Sequence, residues 1–338
     1  MRAAVMTDFG QPLSLQDMPL PEPGEGDVLL KVISSGVCHS DLHIIDGDLP
    51  RFRAGTKPHL IPGHEVVGIV ERVGPGVTNL AIGDRAGVAW CYSSCGECEQ
   101  CREGLENMCR RGGVTGLTHD GGYAQYIRAR ASHAIKVPDA LSSDEAAPLF
   151  CAGVTSYRAL KNAGAGPGTR VAVFGVGGLG HLAVQIAKAM GATIIAMDVT
   201  PEKLKLGLEL GAAHAFDAST EEGVKAVKKL GGAHIAVVTS AARAAYDTAL
   251  QCLRPAGTLS VVGLPAQPLQ IAALALVAGE TRIIGSAVGT RADIRAVLDM
   301  AAKAQIRCHV QARPLDEVNA VLDEMRRGEI AARVVLHP

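Results

Sequence analysis

The stretch Arg170-Val171-Ala172-Val173-Phe174-Gly175-Val176-Gly177-Gly178-Leu179-Gly180 decides how this chain folds: an apolar run closes on a G-x-G-x-x-G pattern that opens an Ala-rich segment, 179–190. A short strand, that glycine spacing and a helix together mark the start of a dinucleotide-binding βαβ unit. Gly175 permits the tight turn, Gly177 lets the backbone approach a pyrophosphate, and Gly180 allows close packing of helix on strand, with Gly178 and Leu179 inside the turn. The helix N-terminus then offers the phosphates unpaired N–H groups and a positive dipole end. Asp198 ends the next apolar run, Thr193 to Met197, eighteen residues beyond Gly180. A carboxylate there accepts from the adenosine ribose hydroxyls and repels a 2′-phosphate, so NAD is expected over NADP.

Outward from this turn, further strands are expected at Ile235–Thr239, Thr258–Val262 and Thr281–Ser286, with helices at Leu179–Met190 and Glu202–Leu210. That rhythm predicts a doubly wound parallel sheet over residues 153–287. Residues 1–152 are rich in Gly, Pro and short β-branched runs such as Val28–Ser34 and Val66–Val73, which reads as a mostly antiparallel, β-rich domain built around loops. Residues 288–338 add a helix, an extended run at His309–Ala312, a helix over Leu315–Arg327 and a closing strand at Arg333–Leu336. The fold class is α/β in two domains, which 338 residues with 48% hydrophobic content can supply with cores.

Lys and Arg total 33 against 34 for Asp and Glu. That balance excludes the electrostatic footprint of a nucleic-acid or anionic-membrane binder. No run approaches ~18 apolar residues, and Met1–Leu20 does not read as a secretion signal. A cytoplasmic protein is expected, and its nine cysteines suit reduced thiolates on metal better than a disulfide framework.

Cys95, Cys98, Cys101 and Cys109 follow a C-x2-C-x2-C-x7-C spacing that lets one loop surround a single ion. A closed structural zinc site is the reading, with an iron–sulfur cluster or disulfides as the rivals. A second set is scattered: Cys38-His39-Ser40-Asp41-Leu42-His43, then Gly63-His64-Glu65, then Cys151 after Pro148-Leu149-Phe150. Cys38, His64 and Cys151 make a Cys2His set, which in catalytic zinc sites leaves one position open. Each of them alone reads more readily as a buried small hydrophobe or a hydrogen-bonded imidazole than as a ligand. Cys91, Cys252 and Cys308 read as ordinary residues.

These motifs, in this order and over essentially the whole chain, resemble the medium-chain, zinc-dependent alcohol dehydrogenases. The likeness is greatest to the tetrameric bacterial and yeast-type members, down to Cys151-Ala152-Gly153-Val154-Thr155 and Gly289-Thr290-Arg291-Ala292-Asp293. The resemblance implies a GroES-like catalytic domain, 1–152, to which 288–338 returns around an inserted Rossmann domain. It also implies two zinc ions per subunit, NAD, and a homotetramer acting on small alcohols and aldehydes. By the same resemblance Cys38, His64 and Cys151 hold the catalytic zinc, with Glu65 as an alternative ligand and Asp41 orienting His64. Ser40 takes the alcohol proton and passes it through the cofactor ribose to His43. Lys203 assists Asp198 at the ribose, and His39 and Arg333 stand near the pyrophosphate.

Trp90 matches an aromatic pocket position, with a place in the core as its other reading. Ile45 and Leu49 stand where the yeast-type enzymes carry tryptophans, and the segment Arg51–Lys57 is longer than the pattern. Smaller aliphatic side chains there imply a roomy site for longer, branched, aromatic or secondary alcohols. The rivals are a polyol or threonine dehydrogenase, a zinc-free quinone reductase and a non-catalytic zinc- and nucleotide-binding protein. Cys151 speaks against the polyol branch, which usually has a carboxylate there. The intact zinc residues disfavour the quinone reductase, and the Ser40–His43 relay disfavours the binder.

Overall fold

The computed structural model describes residues 1–331 and 333–338. The chain begins with a small antiparallel ribbon of β1 (Arg2–Val5) and β2 (Ser14–Asp17). Then come β3 (Asp27–Gly36), β4 (Glu65–Val73), β5 (Arg85–Val88), β6 (Tyr126–Arg130) and β7 (Ile135–Lys136). Short helices lie between and after them: α1 (His39–Asp46), α2 (Pro50–Gly55), α3 (Glu99–Arg102) and α4 (Ser143–Ala146). A different rhythm follows, with α5 (Ala152–Ala163), β8 (Arg170–Phe174), α6 (Gly180–Ala189), β9 (Thr193–Asp198), α7 (Pro201–Glu209) and β10 (His214–Asp217). Strands β11 (Ala233–Val238), β12 (Leu253–Val261) and β13 (Arg282–Gly285) complete it, before β14 (Val310–Pro314) and β15 (Arg333–His337) close the chain.

Two units result, Met1–Cys151 with Thr290–Ala302 and Cys308–Pro338, and Ala152–Gly289 with Lys303–Arg307. Residues 303–307 therefore pack with the second unit rather than with the rest of the C-terminal stretch. The Gln185 side chain on α6 is the visible reason: it donates to the Arg307 carbonyl and accepts from the Arg307 N–H, both at 2.9 Å.

In the first unit a seven-stranded sheet runs β14-β15-β3-β4-β5-β7, with β6 paired to β3. All its pairs are antiparallel except β14 with β15. Val28, Leu30 and Val32 of β3 and Val66 and Val70 of β4 share one buried cluster. A second cluster gathers Val5, Ile44, Ile45, Leu60, Tyr123 and Leu322 around α1. Each such aliphatic side chain contributes about 1.5–3 kcal/mol by leaving water. This packing fixes α1 against the sheet.

The second unit is wholly parallel, in the order β10-β9-β8-β11-β12-β13. Renumbered within the unit, that is the 3-2-1-4-5-6 order of a Rossmann sheet, with the switch point between β8 and β11. Val171 to Phe174 are buried on both faces, as a central parallel strand requires. No helix among the described residues is long and apolar enough to cross a membrane.

Candidate metal and dinucleotide sites

Cys38 is the N-cap of α1, and the first turn of that helix brings Asp41 beneath it. Asp41 is fully buried and takes four donors: the Cys38 N–H at 3.0 Å, the Gly63 N–H at 3.2 Å, His64 Nδ1 at 3.0 Å and the Tyr123 hydroxyl at 2.7 Å. With Nδ1 donating to the carboxylate, His64 keeps the lone pair of Nε2, which stands 3.3 Å from Cys151 Sγ. Glu65, the next residue, begins β4. A Cβ on Gly36 would lie 2.0 Å from its Oε2, so only glycine in β3 leaves the carboxylate room.

The ligand atoms of Cys38, His64, Glu65 and Cys151 all lie within 4.8 Å of one another, and all four residues are buried. Tetrahedral zinc with its usual bond lengths sets neighbouring sulfurs about 3.8 Å apart and sulfur to nitrogen about 3.5 Å. The geometry fits zinc, and the orphaned Glu65 Oε2, buried without a partner, fits a missing cation. The Cys151 hydrogen bond, and His64 beside it, hold the Cys38 thiol low despite burial. The Cys38 hydrogen bond and burial push the Cys151 thiol well up, opposite in direction to Cys38. Burial works to lower His64, but the Asp41 carboxylate outweighs it and holds the imidazole well above its ordinary range. Burial pushes Glu65 up to about 7 against the pull of Arg333, with which it forms a buried ion pair.

Ser40 and His43 follow on α1, three residues apart and so on one face of the helix. His43 Nδ1 reaches both oxygens of Asp48, at 2.9 and 3.0 Å. His39 is exposed at the start of the helix. Trp90 stands edge-on to His64, ring centroids 4.9 Å apart, which places it at the metal cluster. Ile45, by contrast, is 1% exposed in the core cluster around α1, and Leu49 is the N-cap of α2. The aromatic that meets Trp90 is Phe52, at 5.6 Å.

The four-cysteine loop is equally well formed. Sγ–Sγ distances of 3.6, 3.9 and 4.0 Å link Cys95 to Cys109, Cys95 to Cys101 and Cys98 to Cys109, matching the tetrahedral spacing. Backbone N–H groups of Glu97 and Cys98 bring the Cys95 thiol down to about 6. Arg111, paired with Glu97, donates to the same sulfur at 3.3 Å. Neither cluster holds a disulfide.

In the second unit Gly175 takes φ 90° at the end of β8, and a Cβ on Gly180 would fall 1.7 Å from the Gly175 carbonyl. Around Gly177 a Cβ would meet nothing within 4 Å, so the turn leaves open space where a pyrophosphate belongs. Asp198 Oδ2 accepts from the Val176 N–H at 2.7 Å, and Oδ1 from Val199 and Thr200 at 2.8 and 3.1 Å. Lys203 lies half-exposed in the first turn of α7. Tyr123, Asp48, Phe52 and Arg111 escaped the sequence reading, because none falls in a spaced motif. Only Asp48, five residues after the relay histidine, offered a local cue.

The model of an alcohol dehydrogenase GroES-like domain matches residues 24–139, and that of a zinc-binding dehydrogenase matches 178–303. Together with the metal geometry they define a zinc-dependent dehydrogenase. An alcohol dehydrogenase of Geobacillus stearothermophilus is 46% identical over 337 residues, 99% of either chain. The crystal structure of the alcohol dehydrogenase from Aeropyrum pernix superposes with a TM-score of 0.92 at 36% identity, covering 100% of both chains. An acetophenone reductase from Geotrichum candidum, solved in complex with NAD, gives 0.90 at 32% identity, covering 100% of this chain and 97% of its own. The chain belongs to the medium-chain, zinc-dependent alcohol dehydrogenase family, and it is a zinc-dependent oxidoreductase of alcohols.

Proposed function

We propose that the chain interconverts a broad range of primary, and some secondary, alcohols with aldehydes or ketones, using NAD. The observation that carries this reading is the buried Cys38–His64–Glu65–Cys151 cluster within a GroES-like unit, on a chain whose second unit keeps an open glycine turn. Cys38, His64 and Cys151 hold the catalytic zinc, with Glu65 in reserve, and Cys95, Cys98, Cys101 and Cys109 hold a structural one. When bound, zinc would act as a Lewis acid on the alcohol oxygen, and NAD would be the hydride acceptor.

The remaining work falls to side chains. Asp41 fixes the His64 tautomer. Ser40 accepts the alcohol proton, and His43, held by Asp48, delivers it to solvent. The backbone around Gly175, Gly177, Gly178, Leu179 and Gly180 receives the pyrophosphate. Asp198 and Lys203 hold the adenosine ribose, the carboxylate disfavouring NADP. Trp90 walls the alcohol site. Residues 1–151 with most of 290–338 form the catalytic domain, and 152–289 the cofactor domain. A cytoplasmic homotetramer is part of the same proposal, supported by the family likeness.

The test is NADH formation with zinc-replete protein across ethanol, hexanol, benzyl alcohol, 2-propanol and sorbitol, with NAD and with NADP. Turnover on simple alcohols with NAD, lost on chelation and in Cys38→Ala, is the expected result. Activity confined to sorbitol would move the chain to the polyol branch, and light scattering reads the subunit number.

A further inference from the structure

We propose that Phe52 is a positioning residue for substrate size: it holds the Trp90 indole against His64 and so sets the width of the alcohol site, an inference that rests on the alcohol-site reading above. The rings form a chain, Phe52 to Trp90 at 5.6 Å and 48°, Trp90 to His64 at 4.9 Å and 87°. Trp90 is therefore wedged between a residue of the metal cluster on one side and an aromatic from α2 on the other. Phe52 is thus one of the two rings that hold the Trp90 indole.

Phe52 is itself held from three directions. The Thr56 hydroxyl donates to the Phe52 carbonyl at 2.8 Å, closing the short helix on itself. Beside it the Arg53 guanidinium lies 4.6 Å over the Phe9 ring, a cation–π contact that ties α2 to the N-terminal segment. Just beyond it Lys57 donates its N–H to the Leu117 carbonyl at 2.9 Å and its ammonium to both oxygens of Asp120 at 2.7 Å. Asp120 in turn accepts from the Ile61 N–H at 3.1 Å, three residues before His64. The segment that reads as longer than the family pattern is thus a clamped bracket rather than a loose loop.

Ile45 belongs to the core around α1, so the side chain that backs Trp90 is Phe52 of α2. A pocket wall backed by a second ring resists displacement by a bulky substituent, whereas a lone indole could yield. Size discrimination in an apolar pocket turns on such wall positions, and one methylene is worth about tenfold or more in kcat/KM.

The experiment compares ethanol with 1-phenylethanol in wild type, Phe52→Ala, Phe52→Leu and Phe52→Tyr. In Phe52→Ala the kcat/KM ratio of 1-phenylethanol to ethanol should rise about tenfold. Ethanol should lose through KM, with kcat near wild type, because uniform binding is what the wall provides. Phe52→Leu should fall between, which keeps the test alive should the alanine variant fold poorly, and Phe52→Tyr should restore the wild-type ratio. Because the chain has a single tryptophan, its fluorescence reports Trp90 alone, and Phe52→Ala should shift that emission to the red and expose it to acrylamide. An unchanged size ratio in active Phe52→Ala and Phe52→Leu overturns the proposal. Absence of turnover on every alcohol by wild type overturns the alcohol-site reading first and this proposal with it.

Discussion

Asp41 bears more of the catalytic cluster than its place in the motif suggests, since one buried carboxylate satisfies the N-cap residue Cys38, the Gly63 turn, His64 and Tyr123 together. An amide in its place keeps the volume but offers only one accepting oxygen and turns two N–H donors toward groups that already donate. Asp41→Asn should therefore weaken zinc retention at the catalytic site about 10–100-fold, by losing the tautomer lock on His64. It should also destabilise the first unit by about 3–5 kcal/mol, as breaking a buried charged network does. Competition with a chromophoric chelator reads the first effect and thermal melting the second; wild-type zinc retention would refute the role given to Asp41. Tyr123→Phe removes a single donor to a charged carboxylate, and a loss of about 1.5–3 kcal/mol with retained zinc is expected. At this scale the sequence was legible where chemistry demands a spacing, as in Cys95–Cys109, whereas the scattered Cys38, His64 and Cys151 were legible as a set through their family resemblance. It was silent on Tyr123, which is brought to Asp41 by tertiary packing across 82 residues.

The glycine turn makes the sharpest element-scale test, because two of its glycines serve different ends. Gly180 is steric: its added methyl would collide with the Gly175 carbonyl, forcing α6 away from β8. Gly177 faces open space, so its methyl troubles nothing in the protein and obstructs only what binds there. Gly177→Ala should melt within about 0.5 kcal/mol of wild type, as a substitution without new contacts does, while NAD affinity drops at least about tenfold. Gly180→Ala should lose about 1–3 kcal/mol from the second unit itself. Melting curves paired with NAD titration separate the two, and equal melting losses in both variants would refute the distinction. Elements with strong local signals, β8, α6, β9 and α7, were legible to within a residue or two. Strand β10 was not, because His214-Ala215-Phe216-Asp217 is four half-buried residues at the sheet edge, too few to show a period. Helix α2 was missed for a similar reason: Pro50-Arg51-Phe52-Arg53 carries one apolar side chain, and tertiary anchors rather than amphipathic spacing hold it.

At the scale of the molecule, the first unit is discontinuous in sequence and must be closed by contacts between distant segments. Arg291, at the start of the returning chain, does this, donating its N–H and Nε to Glu106 at 2.9 and 3.1 Å and Nη1 to the Ser132 carbonyl at 2.8 Å. His133 sits beside that knot, 6% exposed, with Nε2 on the Ser94 hydroxyl at 3.0 Å and Nδ1 on the Ser132 hydroxyl at 2.9 Å. Burial, aided by the Arg291 charge and opposed by Glu106, pushes its pKa down to about 4 from 6.5. Between those values the unfolded chain binds a proton at this imidazole that the folded chain does not, so stability rises with pH across the window. The contribution is complete above pH 6.5, shrinks as the pH falls, and is gone below about 4; its full size is about 3 kcal/mol. His133→Gln keeps polar atoms against both serines but cannot take up that proton. Its melting temperature should therefore fall less than that of wild type as zinc-replete protein is taken from pH 7 to pH 4.5, the two curves converging or crossing at the acid end. Parallel curves across that range would show that His133 titrates alike in the folded and unfolded chain and that the acid sensitivity of the closing knot lies in other groups.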